Sequence, residues 1–335
     1  MLALFLGLVP FALQEPMSAD PAAEILGTLK AEAERVAALV ESRGARAFLA
    51  AANALPRPEA RSVLYDAKAR EAVTEEEFER LPTEARARFQ PTPFEADFYY
   101  STRYGTPIAY ARALDVLGKL AAQPSEDVMS GKRVLDFGYG GIGHLRMLAS
   151  LGCDAVGVDV DTLLHAYYGA SDQGMVASAT GGVSGRVTLV HGHWPGDAGV
   201  KSAVGGAFDL GLSKNVLKLG YVRPAQKVDP RLLVDLGVTP PAFLGEVATA
   251  LKPGGCFLIY NLCPAPKADR YIPWAYGQSP FTSEEFAAAG FELLAFDIDD
   301  QVAARELGFA LGWHEQGMDL DDDLFAWYTL ARRKG

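Results

Sequence analysis

The segment from Val134 to Asp161, VLDFGYGGIGHLRMLASLGCDAVGVDVD, constrains the fold more than any other part of the chain. An apolar run enters a turn rich in glycine, helix-forming residues follow, and a second apolar run ends at Asp159. That order predicts a strand, a tight turn, a helix and a second strand. Without Cβ atoms at Gly138 and Gly140, a ligand can approach the backbone of the turn. An acid at the tip of the second strand can accept hydrogen bonds from both hydroxyls of a ribose. Together these two features specify a nucleoside ligand.

The rest of the chain supplies the context. From Gly131 onward, short β-branched runs alternate with helical stretches, which is the signature of a parallel sheet with crossover helices. Strands are expected at 133–139, 154–160, 186–191, 208–213 and 256–262. Two later runs, 291–297 and 325–332, also have strand composition and are separated by a helix-like stretch over 302–311. Upstream, Asp20 to Leu55 carries Ile25, Leu29, Val36, Leu39 and Val40 at helical spacing and predicts one or two amphipathic helices. Pro56 and Pro58 close that block. Further helices are expected at 74–88, behind an acidic first turn, and at 108–120. Between them lies the aromatic cluster FEADFYYSTRYGTP, 94–107. The chain therefore divides into an apolar segment 1–16, a helical N-terminal cap 17–130 and an α/β domain 131–335.

Asp136 stands two residues ahead of Gly138, where dinucleotide-binding loops usually carry no acid. After VLDFGYG come GVDVD, FDLGLSKNVL, LKPGGCFLIYN and TSEEFAAAGFELLAF, in that order. In these landmarks the chain resembles the class I S-adenosylmethionine (SAM)-dependent methyltransferases, over about Gly131 to Arg333. The resemblance implies an α/β fold: a Rossmann-like, seven-stranded, mostly parallel sheet with helices on both faces and an antiparallel last strand. It implies SAM as cofactor, with Asp136, Gly138 and Gly140 at its methionine end and Asp159 at its ribose. It also makes LKPGG, Leu251 to Gly255, the turn into the fifth strand. Two departures stand out. Ile142 occupies the place of the family's third glycine, with Gly143 one step later, so the loop is expected to be rearranged. The third strand ends in GHW rather than an acid, leaving His193 or Trp194 to meet the base.

Methyl transfer is an in-line displacement that asks mainly for alignment and exclusion of water. A sulfonium suits aromatic faces, which makes Tyr139, Tyr99, Tyr100 and Tyr104 candidates for the donor pocket and YSTRYGTP a pocket-closing segment. Lys214 and Asn215 follow the fourth strand, at the sheet edge where ligands of open α/β sheets gather. With Tyr104, they are the catalytic candidates, set to orient an acceptor or accept its proton. Tyr260 and Asn261 are expected to face the acceptor, and the insert Gly220 to Pro241 to help enclose it. Cys263 reads as a buried hydrophobe, His191 and His193 lack an acidic third ligand, and MDLDDDL, 318–324, lacks the glycine of a calcium loop. No metal is expected.

Composition narrows the partners. With 31 Lys+Arg against 42 Asp+Glu, the net charge of −11 disfavours a nucleic-acid backbone. The chain also lacks the (D/N/S)PP(Y/F) tetrapeptide of amino-methylating DNA enzymes. A small-molecule acceptor is the expectation, and the oligomeric state is left open. Cys153, Cys256 and Cys263 form no disulfide framework. The apolar run Leu2 to Leu13 is too short to span a membrane. No basic residue precedes it and no convincing cleavage site follows, so a cytoplasmic protein is expected ahead of an exported one. Two other functions compete with methyl transfer: a nicotinamide-dependent oxidoreductase using the same glycine loop, and a noncatalytic SAM-binding or scaffold protein.

Overall fold

The computed structural model describes residues 20–102, 104–121, 129–179 and 181–335. The apolar N-terminal run and Arg103 of the YSTRYGTP segment lie outside the described residues.

The N-terminal cap begins as its periodicity predicts. A helix at Pro21–Ala37 starts on Asp20, and a second at Arg43–Ala50 starts on Ser42, each cap side chain accepting a backbone N–H of the first turn. Ile25, Leu29, Val36 and Phe48 go inward. The cap is not wholly helical, however. It contains a small antiparallel sheet in the order β2-β1-β3, formed by β1 (Arg61–Asp66), β2 (Glu71–Val73) and β3 (Gln90–Phe94). Its strands are short, and its hairpin turns through Arg70 at φ +59° instead of a glycine, so no local turn signal announces it. Pro91 and Pro93 are accommodated because β3 is an edge strand, paired only with β1. The helix expected over 74–88 breaks at Leu81–Pro82 into Glu75–Arg80 and Thr83–Arg86. Pro82 cannot donate the hydrogen bond that would carry the first helix onward.

The main sheet has eight strands in the order β10-β11-β9-β8-β4-β5-β7-β6. They are β4 (Arg133–Phe137), β5 (Asp154–Asp159), β6 (Gly174–Val176), β7 (Gly185–His191), β8 (Phe208–Lys214), β9 (Leu251–Cys263), β10 (Phe291–Asp299) and β11 (Phe325–Arg333). β4, β5, β7, β8 and β9 are parallel, and β11 lies antiparallel between β9 and β10. Seven of these strands match the sequence reading. The eighth, β6, is a three-residue antiparallel edge on β7. Alternate residues feed two separate apolar cores: Val134, Leu210 and Leu258 point to one face, Leu135, Phe257 and Ile259 to the other. Both faces are thus covered, as a parallel sheet requires. LKPGG is not a turn before the fifth strand but the opening of β9 itself. Phe208 pairs with Leu251 and Leu210 already with Cys256, so Lys252–Gly254 loop out, with Gly254 at φ +79°.

Cap and sheet share one apolar core, running from Leu29 and Phe48 through Tyr99 to Leu145 and Tyr260. Polar anchors fix the docking. Arg61 grips Asp172 through both oxygens at 2.6 and 2.8 Å, and the Tyr99 hydroxyl donates to the same carboxylate at 2.7 Å. On the other side, Asp115 accepts the N–H groups of Glu41 and Ser42, while Arg112 pairs with Asp300, which also accepts the Tyr260 hydroxyl at 2.8 Å. Burial alone would raise the Asp172 carboxyl, but the hydrogen bonds from Arg61 and Tyr99 outweigh it and hold it low. A lowered carboxyl stabilises the fold above the ordinary aspartate range and loses that contribution as pH falls through its folded value. Asp172→Ala should therefore cost about 3–5 kcal/mol in urea unfolding at neutral pH, the penalty for stripping one partner from a buried ion pair. The difference from the parent should shrink in acid.

Candidate active site

The chain lays down β4, β5 and β7 toward one edge, then returns to place β8 and β9 on the other side of β4. Connections leave β4 and β8 in opposite directions, so a crevice opens at their carboxyl ends. The glycine loop lines it. Gly138 (φ +75°) donates to the Val158 carbonyl at 2.8 Å, and a Cβ there would lie 2.4 Å from Val216 Cγ2, on the segment after β8. Gly140 (φ +60°) is different: an added Cβ would meet only the Gly138 carbonyl, at 4.0 Å, so the space above it is open. Its N–H donates to Asp159 Oδ2 at 3.1 Å, while Asp159 Oδ1 accepts from Asp161 at 3.0 Å. Loop and acid therefore meet, as the spacing predicts. Burial raises the Asp159 carboxyl to about 6, against the opposing pull of those two backbone hydrogen bonds.

The departure at Ile142 has a packing cause. Ile142 is fully buried, its N–H donates to the Tyr168 hydroxyl, and the helix begins one residue on, at Gly143. A Cβ at Gly143 would press on Pro107 and Tyr100 at 2.9–3.1 Å. This glycine serves the approach of the cap rather than that of a ligand.

Asp136 is 0% exposed. Its Oδ2 lies 2.6 Å from His144 Nε2 and accepts the Tyr110 hydroxyl at 3.3 Å, while its Oδ1 is buried without a partner. The Tyr110 ring stacks on His144, with centroids 3.7 Å apart and planes within 4°. Lys214 completes the group, its Nζ 5.1 Å from the Tyr110 ring centroid. The sequence reading named neither Tyr110 nor His144. His144 was legible in principle, since it opens the helix directly after the loop. Tyr110 lies far upstream in another helix and carried no local signal.

Lys214 ends β8 and is partly buried; burial first and the Lys218 ammonium second lower it to about 8. Asn215 takes a left-handed conformation (φ +68°), and its Oδ1 accepts the Leu262 N–H at 2.7 Å, tying the end of β8 to β9. Tyr104 donates to the Gln316 carbonyl at 3.1 Å. The Tyr139 ring packs over Gly157 of β5, where a Cβ would come within 2.8 Å of it. Tyr99 and Tyr100 are buried with their hydroxyls on Asp172 and the Pro56 carbonyl. His193 is exposed after β7. Trp194 is buried against Phe137 and Phe243, which leaves no face for a base.

Tyr260 and Asn261 also turn inward. Tyr260 bonds Asp300, and Asn261 Nδ2 donates to the carbonyls of Leu217 and Gly277. Cys263 is buried and its thiol raised by desolvation. His191 stacks on His165 at 4.4 Å. Among the described residues, no three His, Cys, Asp or Glu side chains gather as a metal site.

The mostly parallel sheet, antiparallel β11 and two covered faces form a Rossmann-like α/β architecture. No family model and no curated protein matches the chain. Partial likenesses exist among solved structures. A SAM-dependent methyltransferase from Mesorhizobium loti is 17% identical, with 67% of this chain and 98% of that one covered and a TM-score of 0.38. Phosphoethanolamine N-methyltransferase 2 from Haemonchus contortus, in complex with phosphomonomethylethanolamine and S-adenosylhomocysteine (SAH), is 18% identical, covers 73% and 62%, and has a TM-score of 0.38. The [4+2]-cyclase SpnF is 20% identical, covers 71% and 86%, and has a TM-score of 0.39.

The two loop glycines should respond differently to substitution. Gly138→Ala forces both an unfavourable φ and a clash with Val216, and should cost at least about 1–3 kcal/mol in chemical unfolding. Gly140→Ala meets no neighbour and should cost only about 1–2 kcal/mol for its backbone conformation, while placing a methyl group in the open space over the loop.

Proposed function

We propose that this protein transfers a methyl group from SAM to a small-molecule acceptor. The observation that carries the reading is the meeting of Gly140 and Asp159 at the switch-point crevice, with open space above the glycine and a carboxylate beside it. The residues present fit the donor. Asp159 would hold the ribose hydroxyls, the Gly138–Gly140 backbone would lie along the methionine end, and Asp136, with one buried oxygen unpartnered, would receive a donor from that end directly or through water. SAM supplies an electrophilic methyl group on a positively charged sulfur. Lys214, whose Nζ lies 5.1 Å from the Tyr110 ring, would face the acceptor, and Asn215 ties the strand end that carries it to β9. The cap packs against the start of the helix after the loop, at Gly143, through Pro107 and Tyr100; exclusion of water, which methyl transfer needs, would have to come from that side. The net charge of −11 favours a small acceptor over nucleic acid. Among the described residues, no helix is long and apolar enough to cross a membrane.

Calorimetric titration of the full chain with SAM, SAH and NADH in parallel tests this reading. SAM and SAH should bind and NADH should not; binding of NADH alone would replace methyl transfer with oxidoreduction. Asp159→Ala should weaken SAH by about 1–3 kcal/mol, the value of hydrogen bonds to a charged acceptor. Because the Asp159 carboxyl sits at about 6, SAH affinity of the parent should fall as pH drops below that value. Asp159→Asn should flatten this dependence. Unchanged affinity in Asp159→Ala would remove the ribose assignment.

A further inference from the structure

Lys214 is a titratable group at the crevice that no hydrogen bond or ion pair of the described residues uses. Asp136 Oδ2 pairs with His144 and accepts the Tyr110 hydroxyl, while its Oδ1 has no partner. Asp159 accepts two backbone N–H groups. Lys218 donates to the Leu262 carbonyl at 2.6 Å and lies beside the Tyr221 ring. Lys214 Nζ has only the Tyr110 ring at 5.1 Å, and no hydrogen-bond acceptor or carboxylate of the described residues pairs with it. The charged and titratable groups facing it are Tyr110 from the helix Tyr110–Leu120, Asp136 from β4 and Lys218 from the segment after β8. A partly buried lysine, close to a second lysine and without an acceptor for its protons, is poised to be a neutral amine.

We propose that Lys214 takes the proton of the methyl acceptor, and that the acceptor is a compound whose reacting atom enters carrying a proton: a phenolic hydroxyl, a thiol or an ammonium. The inference rests on the methyl-donor reading above. The acceptor's X–H bond breaks and its proton goes to Lys214 Nζ. The freed lone pair forms the bond to the methyl carbon, as the methyl–sulfur bond breaks and its electrons remain on sulfur. Positive charge thereby leaves sulfur and appears on nitrogen. While sulfur is charged, Lys214 is driven toward its neutral form, ready to accept. Once sulfur is neutral, the new ammonium is held by the Tyr110 ring face, whose quadrupole attracts a cation. Lys214 then returns the proton to water.

Because SAM is a cation at sulfur and SAH is not, the two ligands report the charge on Lys214 without any acceptor present. Their affinities for the full chain should be measured by calorimetry between about pH 6.5 and about pH 9.5, a range that brackets a lysine lowered from its ordinary value. The preference for SAM over SAH should rise several-fold across that range. The rise should be absent in Lys214→Met, and Lys214→Arg should disfavour SAM at every pH. In the protein without ligand, the lysine Cε resonance that disappears in Lys214→Met should titrate well below the ordinary lysine value. A SAM preference independent of pH in the parent, or a Lys214 resonance titrating above about 10, would overturn the proposal and leave the methyl-donor reading standing. Failure of both SAM and SAH to bind would instead remove that reading, and this step with it.

Discussion

The close approach between the end of β4 and the end of β8 governs the site. Gly138 turns the chain at φ +75° with Val216 so near that any side chain would collide with it. That contact lets the two strand ends lie side by side although their connections diverge. Asp136 and Lys214, on neighbouring strands, come to share one crevice as a result, and Gly140 is left facing open space next to Asp159. A bulkier residue at the turn would push the loop away from β8, and Asp136 and Lys214 would part.

Around that contact the cap is held by carboxylates taken out of water. Asp172, Asp115, Asp300 and Asp136 are all buried, and each receives several donors from elements far apart in the chain. Such charges are costly to desolvate, and their return comes only when every partner is in place. They therefore define geometry more than they add stability: Arg61 can reach Asp172 only with the small sheet seated, and Tyr260 can reach Asp300 only with β9 and β10 each in register with β11 between them. The aromatic residues before the loop belong to this docking. Tyr99 and Tyr100 pack edge to face and put their hydroxyls on cap and core, where the sequence reading had set them in a donor pocket.

Periodicity and local turn chemistry made much of the fold legible. The alternation of β-branched runs and helices marked seven of the eight strands of the main sheet, and the spacing from the glycines to Asp159 placed the two where they meet. The cap sheet escaped because β2 is three residues long and its hairpin lacks a glycine. LKPGG was misread because a strand that loops out residues in its first turn looks, in sequence, like a turn followed by a strand.

The sequence by itself determined which atoms could face a nucleoside, because a missing Cβ and a strand-end carboxylate act through the local backbone. Tertiary structure decided which polar side chains are already spent. Asn215, Tyr260, Asn261 and Trp194 all stand at strand ends where a reacting group could be, yet packing turns each toward a backbone or core partner. Tyr110 and His144 were drawn to Asp136 from separate helices. A side chain's availability depends on neighbours distant in sequence, and burial sets its charge; neither is encoded in the residues beside it.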